Sequence, residues 1–212
     1  MFIELSEFLR CPEPHGDSFC VVAPDEMTGR MIVRGVVGCP VCKREYRIEH
    51  GVVRFSGAAA EHAADPGRQP GVPTEQDPDV VWALLGLTSP GGFVVLVGSA
   101  SRLAPALAVR MGGVHFVGVN PPGDVACSPV LTLLAHPNQI PLRQSMARGV
   151  VLGAEVAAEP WISEGARVLL AGLRLVAVAE TLSAPGLDQL AVGNGLWVGQ
   201  KDRERGNVKR ET

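Results

Sequence analysis

Residues 93–102 read FVVLVGSASR, five apolar residues that break into Gly98, Ser99, Ala100, Ser101 and Arg102. An apolar strand that runs into a small-residue turn and then a helix is the usual opening of a nucleotide-type cofactor site in an open α/β sheet. This turn holds one glycine where such sites use two or three, and it places an arginine where the backbone should come closest to the ligand. The stretch therefore predicts the fold while questioning the ligand.

Outward from it, apolar strands alternate with helical patterns between residues 77 and 200, the signature of an α/β sheet. Asp77 and Pro78 make an N-cap followed by proline at the first helical position, and Val80, Val81, Leu84 and Leu85 are expected on one helical face behind them. Strands are predicted at residues 93–97, 114–119, 130–134, 150–152 and 174–179, with a helix over 101–111 and another over 159–170. Asn194-Gly195 between apolar flanks predicts a hairpin. Residues 57–76, rich in Ala, Pro and Gly, read as a linker, and 201–212 as a charged, solvated tail.

Four of the five cysteines fall in residues 1–56. CPEPH at 11–15 and CPVC at 39–42 bracket a predicted hairpin, with strands at 18–23 and 30–37 and PDEMTG (24–29) as its turn. Two thiol-bearing turns joined by a hairpin are how a tetrahedral zinc ribbon is built. Pro14 stands where a second cysteine of the first turn would be. The expected ligands of a structural zinc are therefore Cys11, His15, Cys39 and Cys42, with Cys20 as the alternative fourth ligand. So small a segment rarely holds itself together without such a staple. Cys127 reads as an ordinary thiol, although a pairing with His136 is conceivable on sequence, and His115, inside a strand, reads as structural.

The formal charge is −3 over 212 residues, which gives no electrostatic case for nucleic acid or anionic lipid. Residues 58–200 hold only 7 basic and 11 acidic side chains. A surface so short of charge predicts association with a protein partner or a second copy. The longest apolar run, 166–179, is broken by Arg167 and Arg174, so no membrane insertion is expected. The N-terminus lacks the pattern of an export signal, and the expected location is cytoplasmic.

Two resemblances sharpen these readings. LSEFLRCP (5–12) and GCPVCKREYRIEHGVVRF (38–55) resemble the small zinc-ribbon family that activates tRNA, rRNA and protein methyltransferases. Cys39, Cys42, Tyr46, Ile48, Gly51 and Val52 stand in matching places; the resemblance implies a protein-binding module. The segments 85–108, 114–120, 139–156 and 164–180 resemble, in order, the strands of class I S-adenosylmethionine-dependent methyltransferases. The expected fold class is thus α/β, a Rossmann-like methyltransferase-type sheet (77–200) with a zinc-ribbon hairpin domain (1–56) before it.

That second resemblance also says where the cofactor should be gripped. Leu96 replaces the family's acid on the first strand. Of the turn's glycines only Gly98 remains, with Ala100 and Arg102 at the other two places. Asn120 replaces the acid that accepts from the ribose hydroxyls. PLRQSMARG (141–149) has no carboxylate where one should contact the adenine; Arg143 or Gln144 occupies that place. Three lost charge-assisted hydrogen bonds, each worth about 1.5–3 kcal/mol, remove several orders of magnitude of affinity. The turn with Gly98, Ala100 and Asn120 reads as the relic of a cofactor site, its space filled by Arg102, and S-adenosylmethionine is not expected to bind. The expectation is a non-catalytic structural or regulatory subunit; the alternative is an active methyltransferase on RNA or protein, with the ribbon as recruiter.

Overall fold

The computed structural model describes residues 1–55 and 76–203, so the expected linker lies almost wholly, and the tail mostly, outside the described residues. A 3-10 turn at Ile3–Phe8 opens the chain. Four short strands follow: β1 (Val21–Thr28), β2 (Met31–Gly38), β3 (Glu45–Glu49) and β4 (Val52–Arg54). Beyond the undescribed stretch come α1 (Pro78–Leu85), β5 (Phe93–Val97), a 3-10 turn (Gly98–Leu103) leading into α2 (Ala104–Arg110), β6 (His115–Val119), β7 (Leu131–Ala135) and β8 (Ala147–Leu152). The chain then continues through α3 (Trp161–Val168), β9 (Leu169–Ala177), β10 (Leu187–Gly193) and β11 (Leu196–Lys201). The expected α/β class with a small N-terminal hairpin module is the one observed.

All eleven strands belong to one sheet, in the order β1-β2-β3-β4-β7-β6-β5-β8-β9-β11-β10. The hairpin module pairs antiparallel within itself, then β4 joins β7 in parallel, with Val52, Val53 and Arg54 opposite Leu133, Leu134 and Ala135. The central strands β7, β6, β5, β8 and β9 are parallel, and β11 and β10 close the far side antiparallel. Strand alternation sends successive residues of β5 to opposite faces. Val94 and Leu96 pack with Val81, Leu85 and Leu107 of α1 and α2. Val95 and Val97 pack on the other face with Trp161 and Ile162 of α3, and with Leu5, Leu9, Ile48 and Phe55 from the N-terminal part. The two parts that composition separates therefore share a sheet and a core. Among the described residues that face carries one α-helix, α3, with the 3-10 turn and the hairpin module also packed against it.

Local chemistry explains the ends of the elements. Asp77 accepts the Asp79 N–H at 2.8 Å at the start of α1, and Gly86 closes that helix with φ 64°. Asn194 and Gly195 both have positive φ, the backbone that a tight hairpin between β10 and β11 requires. The first hairpin differs from expectation. Its turn is the two-residue Gly29-Arg30, and PDEM lies within β1, because β1 is an edge strand where Pro24 needs no ladder donor and a bulge after Pro24 absorbs the odd residue. The helix predicted over 101–111 divides, with Gly98–Leu103 winding tightly before α2 begins beside Pro105.

Candidate metal centre and the strand ends

Two places carry the chemistry singled out in the sequence. The first is the pair of thiol-bearing turns. Cys11 is fixed by its N–H to the Ser18 carbonyl (3.1 Å), and Cys39 leaves β2 directly into a turn closed by Lys43 N–H on the Cys39 carbonyl (3.0 Å). Lys43 takes a left-handed φ of 62°, which lets that turn fold back on itself. The Sγ atoms of Cys11, Cys39 and Cys42 and a ring nitrogen of His15 lie within 4.8 Å of one another. His15 Nε2 is 3.3 Å from Cys11 Sγ and 3.4 Å from Cys39 Sγ, and Cys11 and Cys42 Sγ are 3.7 Å apart. Zn–S and Zn–N bonds of about 2.3 and 2.05 Å set tetrahedral edges of about 3.8 Å (S to S) and 3.6 Å (S to N), so the donor set suits a tetrahedral zinc. Cys20, buried nearby, is not one of the four convergent residues.

The thiols are not alike. Burial acts to raise Cys39, but the N–H groups of Cys42 and Val41 hold it down at about 6. Burial pushes Cys11 up to about 11 and Cys20 up to about 12. Cys39 is thus disposed to be a thiolate without help, whereas Cys20 stays a neutral thiol. Behind the cluster, Tyr46 Oη donates to Glu13 Oε1 (3.3 Å) and lies 3.7 Å from Cys11 Sγ, while Arg44 pairs with Glu13 at 3.3 Å. No motif announces Glu13; its place two residues after Cys11, inside the turn, is the one sequence signal of its role.

The second place is the carboxyl end of the parallel strands, where α/β folds hold ligands. Leu96 is fully buried toward α1 and α2, and Ala100 is buried in the same layer. Gly98 has φ 64°. The turn is filled, but not by Arg102. That side chain swings to the surface and makes a bidentate pair with Asp124 at 2.9 and 2.7 Å, which corrects the expectation that it fills the space. The filler is Glu155, which follows β8: its carboxylate accepts from the Ser99 N–H and, at 2.7 Å, from the Ser99 hydroxyl. Nothing in LGAEV except two small residues ahead of a glutamate hinted at this. Asn120, in a left-handed turn with φ 48°, also pairs internally. Its amide donates to the His136 carbonyl (2.7 Å) and accepts the His136 N–H (3.0 Å). Arg143 and Gln144 lie exposed, and the Arg143 N–H donates to the Phe8 carbonyl at 2.8 Å.

The remaining candidates fall apart as a catalytic set. Cys127 precedes β7 and packs at Gly51, whereas His136 follows β7 and its Nδ1 accepts the Gln139 N–H at 3.0 Å, so the two sit at opposite strand ends. His115 is buried, bonded to Thr132 Oγ1 at 2.9 Å and stacked on Phe2 with ring centroids 4.2 Å apart. Burial lowers it to about 4, which fits a structural, neutral imidazole. No helix among the described residues is long and apolar enough to cross a membrane.

No protein-family model matches the sequence, and no curated protein is similar to it in sequence. Solved structures are similar in fold. A geranyl diphosphate methyltransferase in complex with GPP and sinefungin aligns at 15% identity and a TM-score of 0.40, over 47% of this chain and 42% of that one. The Haloferax volcanii complex between the Trm112 methyltransferase activator and a methyltransferase aligns at 19% identity and 0.39, over 47% and 49%. A SAM-dependent methyltransferase from Aquifex aeolicus aligns at 16% identity and 0.43, over 59% and 88%. The chain thus spans less than half the length of the first two, and its likeness to all three is one of fold.

Proposed function

We propose that this protein is a non-catalytic structural or regulatory subunit, built on a methyltransferase-like sheet whose cofactor positions have been turned to internal use. The observation that carries this reading is the pairing at the strand ends. Ser99 and Asn120, the polar groups placed to meet a ligand there, bind Glu155 and His136 of the same chain instead. An external ligand would have to break those bonds as well as form its own, without the carboxylates that the resemblance calls for.

In this reading Cys11, His15, Cys39 and Cys42 hold a structural zinc, with four protein ligands and no open coordination position. The ribbon works inside the fold, since its apolar side packs on the chain's own sheet. Contact with a protein partner or a second copy falls to what stays exposed, such as Phe19 and Val21 at one sheet edge and Leu190 and Val192 at the other. Size-exclusion chromatography with light scattering tests that contact: a monomer that captures no protein from its native source counts against it.

Calorimetric titration with S-adenosylmethionine tests the main claim. No heat of binding is expected up to millimolar ligand, whereas an active methyltransferase binds in the micromolar range and transfers its methyl group. Either of those results overturns the proposal.

A further inference from the structure

The thiols gathered at the two turns differ in how far solvent reaches them. Cys42 is half-buried, whereas Cys11, Cys39 and the neighbouring Cys20 are buried. The more accessible sulfur stands close to a buried one. Cys42 Sγ lies 3.7 Å from Cys11 Sγ, and a disulfide holds its sulfurs about 2.05 Å apart, so rotation of the two side chains has less than about 2 Å to close. These residues are 31 positions apart in the chain and belong to different turns. A bridge between them ties the turn after the Ile3–Phe8 segment to the turn after β2, the same join that Cys11, His15, Cys39 and Cys42 make around a metal. A bridge between Cys39 and Cys42 closes only the CPVC turn on itself. Cross-links over long chain separations restrict the unfolded chain more than short ones do. Cys11 and Cys42 are therefore the pair through which a covalent bond can stand in for the metal.

We infer that this cluster is an oxidation site as well as a metal centre: a peroxide joins Cys42 to Cys11, the zinc is released, and the disulfide becomes the staple of the module. The inference rests on the reading of the four residues as zinc ligands. The Cys42 thiolate attacks one peroxide oxygen, the O–O bond breaks, and hydroxide departs to leave a sulfenic acid on Cys42. The Cys11 thiolate then attacks that sulfur, the S–O bond breaks, and a second hydroxide leaves as the S–S bond forms. Each sulfur has given up one electron, and two protons from solvent turn the hydroxides into water. Two of the four donors are then withdrawn, which leaves Cys39 and His15 too few to hold the metal. A dithiol reverses the step by exchange and returns both thiolates to zinc.

The test uses the full chain, purified with zinc and first assayed for it by elemental analysis. Submillimolar hydrogen peroxide is expected to release the zinc to a metal indicator, and peptide mapping after thiol alkylation should find Cys11 joined to Cys42. The oxidised protein is expected to melt well above the reduced, chelated protein, because one staple has replaced the other. Dithiothreitol with zinc restores the starting state. Cys42→His keeps four donors for zinc but cannot form the bridge, so its zinc should leave several-fold more slowly, whereas Cys20→Ser responds as the native chain does. If Cys42→His holds no zinc, the mapped bridge and the melting comparison decide. The inference is overturned if zinc stays bound while peroxide oxidises a free-thiol peptide in the same solution, or if the bridge engages Cys39 or Cys20 instead. It is equally overturned if Cys42→His loses zinc as fast as the native chain, or if the oxidised protein melts with the chelated one. A chain purified without zinc fails the zinc reading, whereas a zinc-loaded chain that does not respond fails this inference alone.

Discussion

The thiol-bearing turns and the strand ends both gather polar side chains, but they resolve them in opposite ways. At the turns, three sulfurs and an imidazole lie within 4.8 Å of one another and bond chiefly among themselves, a donor set that suits a shared cation. At the strand ends each donor meets an acceptor from the next loop, Ser99 with Glu155 and Asn120 with His136. Donors drawn from two turns onto one point suit a shared cation, whereas donors matched one to one with acceptors tie neighbouring loops together.

The largest effect should come from stripping the turns. Chelation, or Cys39→Ser, is expected to lower the melting temperature by more than about 10 °C, since structural zinc contributes on the order of 10 kcal/mol to small domains. Because the ribbon shares its core with the sheet, calorimetry should record one cooperative transition; a melt confined to the N-terminal part would break the comparison. Next comes the seam itself. Leu134, fully buried where β7 meets β4, is predicted to cost about 2–5 kcal/mol as Leu134→Ala, with amide exchange accelerated in both parts alike.

The ligand choice gives a smaller and more pointed test: His15→Ala should lower zinc affinity well below that of Cys20→Ala, by competition with a metal indicator. The reverse order would move the centre onto Cys20.

His115 offers a pH test. Its folded pKa, about 4, lies below the usual 6.5, so the unfolded chain binds the proton first as pH falls. Stability from this group is present above pH 6.5 and is lost as pH falls toward 4, amounting to roughly 1–2 kcal/mol between pH 7 and pH 5. His115→Gln should flatten that slope in urea melts at the two pH values. Asn120→Asp should have the smallest effect, about 1 kcal/mol of destabilisation, because it replaces a donor to the His136 carbonyl with an acceptor. Restored binding of S-adenosylmethionine in that variant would show that the carboxylate, not the internal pairing, was the decisive loss.

Much of this was legible in the chain because the signals are local. Asp77-Pro78 and Gly86 mark a helix, Asn194-Gly195 marks a hairpin, and the apolar run before Gly98 marks a strand, each through backbone preferences that neighbours do not alter. The convergence of Cys11, His15, Cys39 and Cys42 was legible for the same reason, since Cys-Pro-x-Cys and Cys-x-x-x-His each fix a short loop. Arg102 was misread because a side chain's direction depends on a partner, Asp124, that only the folded loop brings near. Glu13 and Glu155 escaped notice because a carboxylate announces its acceptor only once the donor is beside it.

By itself the sequence determined the elements, their order and where the chain departs from the pattern it resembles, because propensity and spacing act within a few residues. Only the tertiary structure decided that hairpin module and sheet are one body and that Ser99 and Asn120 pair within the chain. Both depend on pairings between distant residues, β4 with β7 and Ser99 with Glu155, and such pairings are selected by the packing of the whole core.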